Sequence, residues 1–458
     1  MAKIFKPQTK VKQRKHKSTA RQMADFTGVV QHYDHEGKGI IRTEQGHIAF
    51  VPGVMAGERV RVRPKTYTDK IIHGSALNIL EPSSERIQAK CGHFGTCGGC
   101  QLQYMSSAQQ VAIKQEALDT LFKKQLSLAD IPWQPTLSGA DWGYRRTARL
   151  AIWFDKADML TLGFRQPGSK QIVDIEACPI LAEKLMPKVL AIKPVLLTLS
   201  HNRKITHIQV FQLEHQSYMI LRTLGHVSQE DKNQLQVFAR SHQCSLLLEY
   251  DKHQFESLWP QQATETEHNP AILNYQLDDL TFEFQPQNFI QINQSVNEQM
   301  VQQALDWLAL KPEDRVLDLF SGVGNFTLPL AKRVKEVMAV EGVNDMVTRL
   351  KQNAILNGLE NVTAHQADLS QLEEKRKPKW LKPIDKLLLD PARDGAFAVV
   401  KKIPLLAPKQ ILYVSCNPAT MARDLKHLLS ADYRLTKIGL LNMFPHTSHV
   451  EAMALLEK

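Results

Sequence analysis

A cysteine at the end of an apolar segment is the first candidate for chemistry. Cys416 ends the run in "ILYVSCNPAT" and is followed by Asn417 and Pro418. Most free cysteines are buried and act as small hydrophobic residues. Pro418, however, ends the strand, so we expect this thiol to lie at a turn and not inside the core. The ionised fraction of an ordinary thiol is a strong nucleophile, so Cys416 is a candidate catalytic residue.

Such a thiol suits methylation of a carbon that is itself a weak nucleophile, as C5 of a pyrimidine is. Addition of the thiolate to C6 makes C5 nucleophilic, and a base must later remove the C5 proton. The segment "FPHTSHVEAM" offers Glu451, His446 and His449 for that step. We favour Glu451, because apolar neighbours raise the pKa of a carboxyl group.

An amino-group RNA methyltransferase is an alternative interpretation of the same segments. "DPAR" and "CNPA" partly match the Asn/Asp-Pro-Pro-aromatic loops of those enzymes. Both segments lack the aromatic residue that stacks on the target base. The cysteine mechanism therefore fits the sequence better.

A second set of cysteines has the spacing of a metal or cluster site. Cys91, Cys97 and Cys100 form C-x5-C-x2-C in a glycine-rich segment, and Cys178 stands alone before Pro179. Four thiolates suit zinc or a [4Fe–4S] cluster, and His93 is a further possible zinc ligand. The Cys-Pro pair favours iron, because bacterial cluster motifs end in this way.

A glycine turn followed by carboxylates indicates a nucleoside site. "RVLDLFSGVGNFTLPLA" has the pattern of a strand, a glycine turn and a helix, but Thr327 replaces the third glycine of a dinucleotide motif. Glu341, Asp368 and Asp390 follow successive predicted strands, where they can bind ribose hydroxyls and an adenine edge. S-adenosylmethionine, which has no phosphates, fits this set better than NAD does.

The elements that must position these residues differ along the chain. After Asn293, apolar strands alternate with helical periods, which predicts a parallel sheet covered on both faces, as in a doubly wound α/β domain. From Phe26 to Pro82 the pattern is β-rich: in "ERVRVRP" the valines alternate with arginines, as expected for a small OB-type barrel. A helix is predicted from about Ser107 to Leu126.

Charge and composition limit the classes of function. The net charge is +10, and eight lysines and arginines precede the first acid, Asp25. This basic arm is typical of a nucleic-acid partner. It lacks the apolar segment of a signal peptide, and no apolar run is long enough to span a membrane, so we expect a cytoplasmic protein that does not cross a membrane.

Taken together, these segments resemble the RNA uracil-5 methyltransferase family over nearly the whole chain. The shared motifs are the cysteine set, "FQPQNFIQIN", "LDLFSGVGNFT", "DPAR", "SCNPAT" and "HTSHVE". The family usually has Asp-Pro-Pro-Arg where this chain has Ala392 as the third residue. Possession of both a barrel and the cysteine set resembles the members that act on 23S rRNA, since the tRNA enzymes lack both.

The resemblance implies a multidomain α/β protein. It would have a disordered basic arm (1–22), an N-terminal OB-fold, TRAM-like β-barrel (23–82), a central α+β domain with the iron–sulfur cluster loop (83–280) and a C-terminal Rossmann-like class I methyltransferase domain (281–458). It implies Cys416 as the nucleophile and Glu451 as the base. It also assigns a [4Fe–4S] cluster to Cys91, Cys97, Cys100 and Cys178; S-adenosylmethionine contacts to Gln291, Phe320, Asn325, Glu341, Asp368 and Asp390; and uracil contacts to Arg146 and Phe289.

The predicted function is therefore S-adenosylmethionine-dependent methylation of C5 of a uridine in 23S rRNA by a monomeric enzyme. A noncatalytic RNA-binding assembly factor that keeps a nucleoside pocket is the alternative from another class. It predicts RNA binding that does not depend on Cys416.

Overall fold

The structure is a computed structural model, and it describes residues 23–214, 216–251, 254–260, 271–369 and 381–458, without the side chains of 404 and 405. The predicted basic arm, 1–22, lies outside the described residues. The chain forms two compact units. Of the described residues, one unit contains 23–34 and 38–84, and the other contains 35–37 and the chain from Glu85 onward.

The strands of the described residues are β1 (Phe26–Val29), β2 (His32–Tyr33), β3 (Gly39–Arg42), β4 (Ile48–Val51), β5 (Arg59–Tyr67), β6 (Ile71–Glu81), β7 (Trp133–Leu137), β8 (Thr147–Phe154), β9 (Leu160–Arg165), β10 (Ile172–Asp174), β11 (Ile205–Leu213), β12 (Gln216–Thr223), β13 (Cys244–Glu249), β14 (Phe255–Trp259), β15 (Leu273–Leu277), β16 (Leu280–Phe284), β17 (Arg315–Leu319), β18 (Glu336–Glu341), β19 (Val362–Gln366), β20 (Lys386–Leu389), β21 (Gln410–Ser415), β22 (Arg434–Leu441) and β23 (Glu451–Glu457).

The helices of the same residues are α1 (Ser107–Leu126), α2 (Leu185–Thr198), α3 (Gln229–Ser241), α4 (Gln294–Leu308), α5 (Thr327–Ala331), α6 (Asn344–Leu356), α7 (Phe397–Val400), α8 (Ile403–Leu406) and α9 (Pro418–Leu429), with a 3-10 turn at Asn202–Lys204. The predicted helix from Ser107 to Leu126 is confirmed. In this described part no helix is long and apolar enough to cross a membrane.

The N-terminal unit is a β sheet with a small core of its own. Its described strands pair in the order β1-β5-β6-β4-β3-β2. On β5, Val60 and Val62 are fully buried, while Arg59, Arg61 and Arg63 are exposed, as the alternating pattern predicts. The finer identification as an OB-type, TRAM-like barrel stays a prediction.

A second sheet, here called the central sheet, has the order β10-β9-β8-β11-β12-β13-β14 among the described strands. Helices α2 and α3 cover one face. Leu150, Val189, Val210, Leu235 and Leu246 illustrate this apolar layer, to which both helices contribute.

The third sheet, the C-terminal sheet, has the described order β19-β18-β17-β20-β21-β23-β22-β7. Strands β17 to β21 pair in parallel, whereas β23 runs antiparallel to β21 and to β22. Apolar cores lie on both faces: one includes α4, α5 and the hairpin β15-β16, and the other includes α1 and α9. The predicted parallel sheet covered on both faces is confirmed.

Some elements of the C-terminal layer come from earlier in the chain than the sequence pattern suggested. Strand β7 pairs with β22 at the edge of the C-terminal sheet, and α1 packs against α9. The expected boundary at 280/281 falls inside β16. Apolar residues of β15 and α1 are buried in these two cores, and Leu137 and Trp133 of β7 pack against them, because the C-terminal strands alone leave their faces uncovered.

Candidate active site

The predicted catalytic and donor-binding residues line one edge of the C-terminal sheet. At this edge, each parallel strand ends either at a predicted site residue or one or two residues before one. Antiparallel β23 begins at the same edge. In parallel α/β sheets, ligands bind at this carboxyl-terminal edge. From β19 across to β23, the residues along the edge are Asp368, Glu341, Phe320, Asp390, Cys416 and Glu451.

Cys416 and Glu451 are neighbours across two strands. Ser415 on β21 is the register partner of Ala452 on β23, so the next residues outward are Cys416 and Glu451. Burial raises the pKa of the Cys416 thiol, and Glu451 and Asp390 raise it further, while Arg393 lowers it. The thiol is half-buried, as the proline at 418 predicted.

Glu451 is a buried carboxyl group. Only 3% of the residue is exposed, and within the described residues its Oε2 has no hydrogen-bond partner. Burial, assisted by Asp390, raises its pKa to about 8. A carboxyl group with a pKa near neutrality can take and release a proton at physiological pH.

Two further carboxyl groups accompany this pair. Burial raises the pKa of Asp390 to about 7. Asp318, inside β17, also has a pKa raised to about 7 by burial, with contributions from Asp390 and Glu341. One Asp318 oxygen accepts a hydrogen bond from Thr327 Oγ1, and the other has no partner in the described structure. The edge thus concentrates acidic groups, which favours a cationic ligand.

The glycine turn after β17 adopts the conformation that its sequence predicts. Gly322 and Gly324 have φ angles of +56° and +107°. A Cβ at Gly324 would lie 2.2 Å from Leu328 Cδ1, so the turn leaves no space for a side chain there. The Gly322 N–H donates to Glu341 Oε2 at 3.1 Å, and the Val343 N–H donates to Oε1 at 2.9 Å, which fixes this carboxylate beside the turn.

Three more of the residues predicted to contact S-adenosylmethionine lie around the same turn. Phe320 has a φ of +65°, and its N–H donates to the Val340 carbonyl. Asn325 exchanges two side-chain hydrogen bonds, of 2.9 and 3.0 Å, with Asn297 on α4. Exposed Asp368 follows Ala367, whose N–H donates to the Glu341 carbonyl.

Arg146 and Gln291 are joined to each other. The Arg146 Nε donates to the Gln291 carbonyl at 2.8 Å, and the guanidinium lies over the Tyr275 ring at 4.5 Å. Arg146 is buried, and among the described residues its two terminal nitrogens have no partners. Five donors in a planar fork are suited to a ligand's carbonyl oxygens. Phe289, by contrast, is 67% exposed.

Asn417 connects the two turns that carry Cys416 and Asp390. Its Oδ1 accepts hydrogen bonds from the Ala419 and Thr420 amides and so caps α9. Its Nδ2 donates to the Arg393 carbonyl at 2.9 Å, and Thr420 Oγ1 donates to the same carbonyl at 3.2 Å. These contacts hold the Asp-Pro-Ala-Arg turn although it lacks the second proline.

The loop before Glu451 is held by α1. Gln110, fully buried on α1, accepts a hydrogen bond from the His446 N–H at 2.7 Å, and its Nε2 lies 3.1 Å from His446 Nδ1. Buried Lys114 donates to the Phe444 carbonyl at 3.3 Å. The His446 ring stacks on Trp142 with centroids 3.8 Å apart. His446 is therefore part of the loop's anchorage, which argues against it as the base.

The four predicted cluster cysteines meet at one cavity. Cys91, Cys97, Cys100 and Cys178 line a cavity of about 100 Å³, and burial raises the pKa of Cys100 to about 12. His93 also lines it, but its Nε2 accepts a hydrogen bond from the Glu176 N–H at 3.1 Å. Across the described residues, no group of three or more His, Cys, Asp or Glu is arranged to hold a metal ion.

Comparison with known proteins identifies the family. A sequence model of the tRNA (Uracil-5-)-methyltransferase family matches residues 106–458. The chain belongs to this family. It is 40% identical, over all of both chains, to the 23S rRNA (uracil(1939)-C(5))-methyltransferase RlmD of Shewanella sediminis, and 40% identical, again over all of both, to that of Aeromonas hydrophila.

A solved structure shares the fold of this family member. The tRNA (uracil-54, C5)-methyltransferase of Pyrococcus abyssi, in complex with S-adenosyl-L-homocysteine, matches with a TM-score of 0.69. The match covers 94% of this chain and 100% of that one at 23% identity. The C-terminal sheet therefore belongs to a methyltransferase-like fold.

Several residues that shape the candidate active site were not predicted from the sequence. Asp318 carries a visible signal, because an acid inside the apolar strand "RVLDLF" needs a local reason to be buried. Asn297 and Gln110 carry no such signal, since amides are common on helices. Their roles depend on contacts with Asn325 and His446, which are distant in sequence.

Proposed function

We propose that this protein is an S-adenosylmethionine-dependent methyltransferase that makes 5-methyluridine in 23S rRNA. The observation that carries the proposal is the position of Cys416 and Glu451 beside each other at the acid-lined edge of the sheet. The curated relatives are named for uracil 1939, and we propose the corresponding uridine as the target.

The proposed cycle uses the thiol first. The Cys416 sulfur forms a bond to C6 of the uracil, and the electron pair of the C5=C6 bond is delocalised over C5 and the C4 carbonyl. S-adenosylmethionine, when bound, supplies an electrophilic methyl group on its sulfonium. Residues proposed to hold it are Gln291, Phe320, Asn325, Glu341, Asp368 and Asp390. The carboxylates suit a ligand with ribose hydroxyls and a positive charge.

Glu451 completes the proposed cycle. After C5 has gained its methyl group, the ionised carboxylate removes the C5 proton, the C5=C6 double bond re-forms, and the C6–S bond breaks to release the Cys416 thiolate. The raised pKa of Glu451 supports this role, because a stronger carboxylate base removes a carbon-bound proton more readily. Arg146 is proposed to bind the uracil with its two unpaired nitrogens, and Phe289 to contact its ring.

We also propose that the four cysteines hold a [4Fe–4S] cluster. The donor set fits, because four thiols face one cavity and iron–sulfur clusters take four thiolates. Zinc also accepts four thiolates, and the Cys178-Pro179 pair favours the cluster, because bacterial cluster motifs end in this way. The engaged His93 nitrogen also favours an all-cysteine set.

Residues 1–22 and the N-terminal sheet are proposed to bind RNA phosphates. A cytoplasmic monomer remains our expectation.

The first test measures tritium released to water from unmodified 23S rRNA transcript labelled at uracil C5. We expect release that requires S-adenosylmethionine and is lost in Cys416→Ala, with unmodified tRNA transcript as the competing substrate. RNA binding without release would overturn the proposal in favour of an assembly factor, and methylated adenine or guanine would favour an amino-group methyltransferase. Release from tRNA alone would overturn the choice of 23S rRNA.

A further inference from the structure

The central sheet has one face that is only half covered. On that face Phe211, Leu213, Ile220 and Leu247 belong to the core that also contains the hairpin β15-β16. Toward the other half of β8 and β11 the side chains of this face are exposed, as Arg149 and Trp153 of β8 show, and Trp153 is 62% exposed. We call this half the open face.

Strand register defines the side chains of the open face. Arg149 is the partner of Gln209, and Ala151 is the partner of His207. Residues two apart on a strand share a face, so Trp153 on β8 and Arg165, two residues beyond Gly163 on β9, belong to the same side. The open face is thereby formed by Arg149, Trp153, Arg165, His207, Gln209 and Arg222.

The open face is positively charged. Arg149 and Arg165 are exposed, and neither side chain makes an ion pair with any residue that the structure describes. Arg222 differs, because it is held by Glu249 at 2.8 Å. Burial lowers the pKa of His207, and Arg149, Arg165 and Arg222 lower it further, which reflects how closely these cations are grouped.

The open face leads toward the proposed uracil contacts. Gln209 Nε2 donates to the Pro286 carbonyl at 3.1 Å. Pro286 begins the short loop that Asn288 closes by accepting a hydrogen bond from the Gln285 N–H at 2.7 Å. Exposed Phe289 follows, and then Gln291, to which Arg146 is bonded. A strand of RNA lying on the open face would therefore continue to the site.

We propose that the open face binds the single-stranded RNA that flanks the target uridine, with Arg149 and Arg165 against phosphates and Trp153 stacked on a base. Arginines position nucleic-acid backbones, and an exposed aromatic ring stacks on bases of any sequence. The inference rests on the proposed function, because that function makes single-stranded RNA the ligand near Phe289.

The test compares variants of the full-length protein with matched controls on the helices that cover the opposite face. The variants are Trp153→Ala, Trp153→Phe and the double variant Arg149→Gln with Arg165→Gln. The controls are Val237→Ala, at a similarly exposed apolar residue of α3, and the double variant of Lys184→Gln at the N-cap of α2 with Arg240→Gln on α3. The probe is a 23S rRNA transcript fragment that contains the target uridine, and its Kd is measured across a salt series.

We expect Trp153→Ala to weaken binding roughly tenfold, as loss of a base stack does. The double arginine variant should reduce the slope of log Kd against log salt concentration by about 1.4. Each of the two lost phosphate contacts contributes about 0.7 to that slope. Single-turnover tritium release at saturating RNA should stay within twofold of wild type. Trp153→Phe should keep most of the affinity but lose the part of the tryptophan fluorescence that RNA quenches.

Unchanged affinity and salt dependence in both variants would overturn this inference while leaving wild-type tritium release, and with it the proposed function, intact. The same holds if the control variants weaken binding as much as the open-face variants do. Failure of the wild type to release tritium would instead overturn the proposed function.

Discussion

Cys416 and Glu451 occupy the next register positions beyond the paired residues Ser415 and Ala452, on neighbouring antiparallel strands. The carboxyl group raises the pKa of the thiol, and burial raises the pKa of both. Ionisation of one group therefore disfavours ionisation of the other. Addition of the sulfur to a substrate carbon removes the thiolate charge and so favours the ionised carboxylate that the later step requires.

Replacement of the base should trap the covalent adduct. In Glu451→Gln the thiol can still add to C6, but the amide cannot remove the C5 proton. We expect tritium release to fall by at least about 100-fold, and RNA to remain attached to protein on a denaturing gel in the presence of S-adenosylmethionine. The matched control is Glu457→Gln at the other end of β23, which should behave as wild type. Release at the wild-type rate by Glu451→Gln would exclude this carboxylate as the base.

The buried Glu451 carboxyl should also make protein stability depend on pH. Its pKa is about 8 in the folded chain, against an ordinary value of 4.5. Between these values the native state keeps a proton that the unfolded chain has released, so the free energy of unfolding falls as pH rises. The slope from this group is at most about 1.4 kcal/mol per pH unit.

Urea denaturation of wild type and Glu451→Gln at pH 5, 6, 7 and 8 measures that slope. The variant should gain stability relative to wild type with each step in pH, because glutamine has no proton to release. Contributions from Asp318 and Asp390 are present in both proteins and largely cancel. Parallel curves would mean that Glu451 has an ordinary pKa.

Gln110 should act as a positioning residue for the loop that precedes Glu451. Its replacement by methionine keeps the volume but removes the contacts with His446 and the hydrogen bonds to the Leu102 and Met105 carbonyls. We expect kcat to fall roughly tenfold, since small displacements of a catalytic group are costly, with KM for RNA little changed and a larger trapped fraction of adduct. Thr120→Ala, on the exposed side of α1, is the control. Loss of stability with normal kcat would leave Gln110 with a purely structural role.

Iron content tests the cysteine assignment with a control inside the same chain. Anaerobically purified wild type should contain iron and absorb broadly in the visible range, and Cys178→Ser should lose most of both. Cys244→Ser should keep them, because Cys244 is buried in the core of the central sheet and does not line the cavity. Zinc without iron in the wild type would contradict the cluster.

The sequence predicted the C-terminal edge well because parallel α/β sheets place the end of each strand at one edge. Asp390, Cys416 and Glu341 each follow or end an apolar strand, so their shared location follows from periodicity alone. The packing of β7 and α1 into the C-terminal layer was less predictable, because partners far apart in sequence leave no local pattern. For the same reason the contact between Gln110 and His446 could not be inferred. Gln110 resembles any helical amide until the fold brings the loop against it.

Asn417 contacts both the first turn of α9 and the turn that carries Asp390, so it couples the opening of one to the opening of the other. One side chain caps the first turn of α9 and also holds the Arg393 carbonyl. A second proline at position 392 would restrict the turn chiefly by limiting the unfolded chain, but here the restriction comes from native contacts. We therefore expect opening of the first turn of α9 to loosen the carboxylate-bearing turn at the same time, so that the amides of Gly395 and Thr420 exchange with solvent as one cooperative unit.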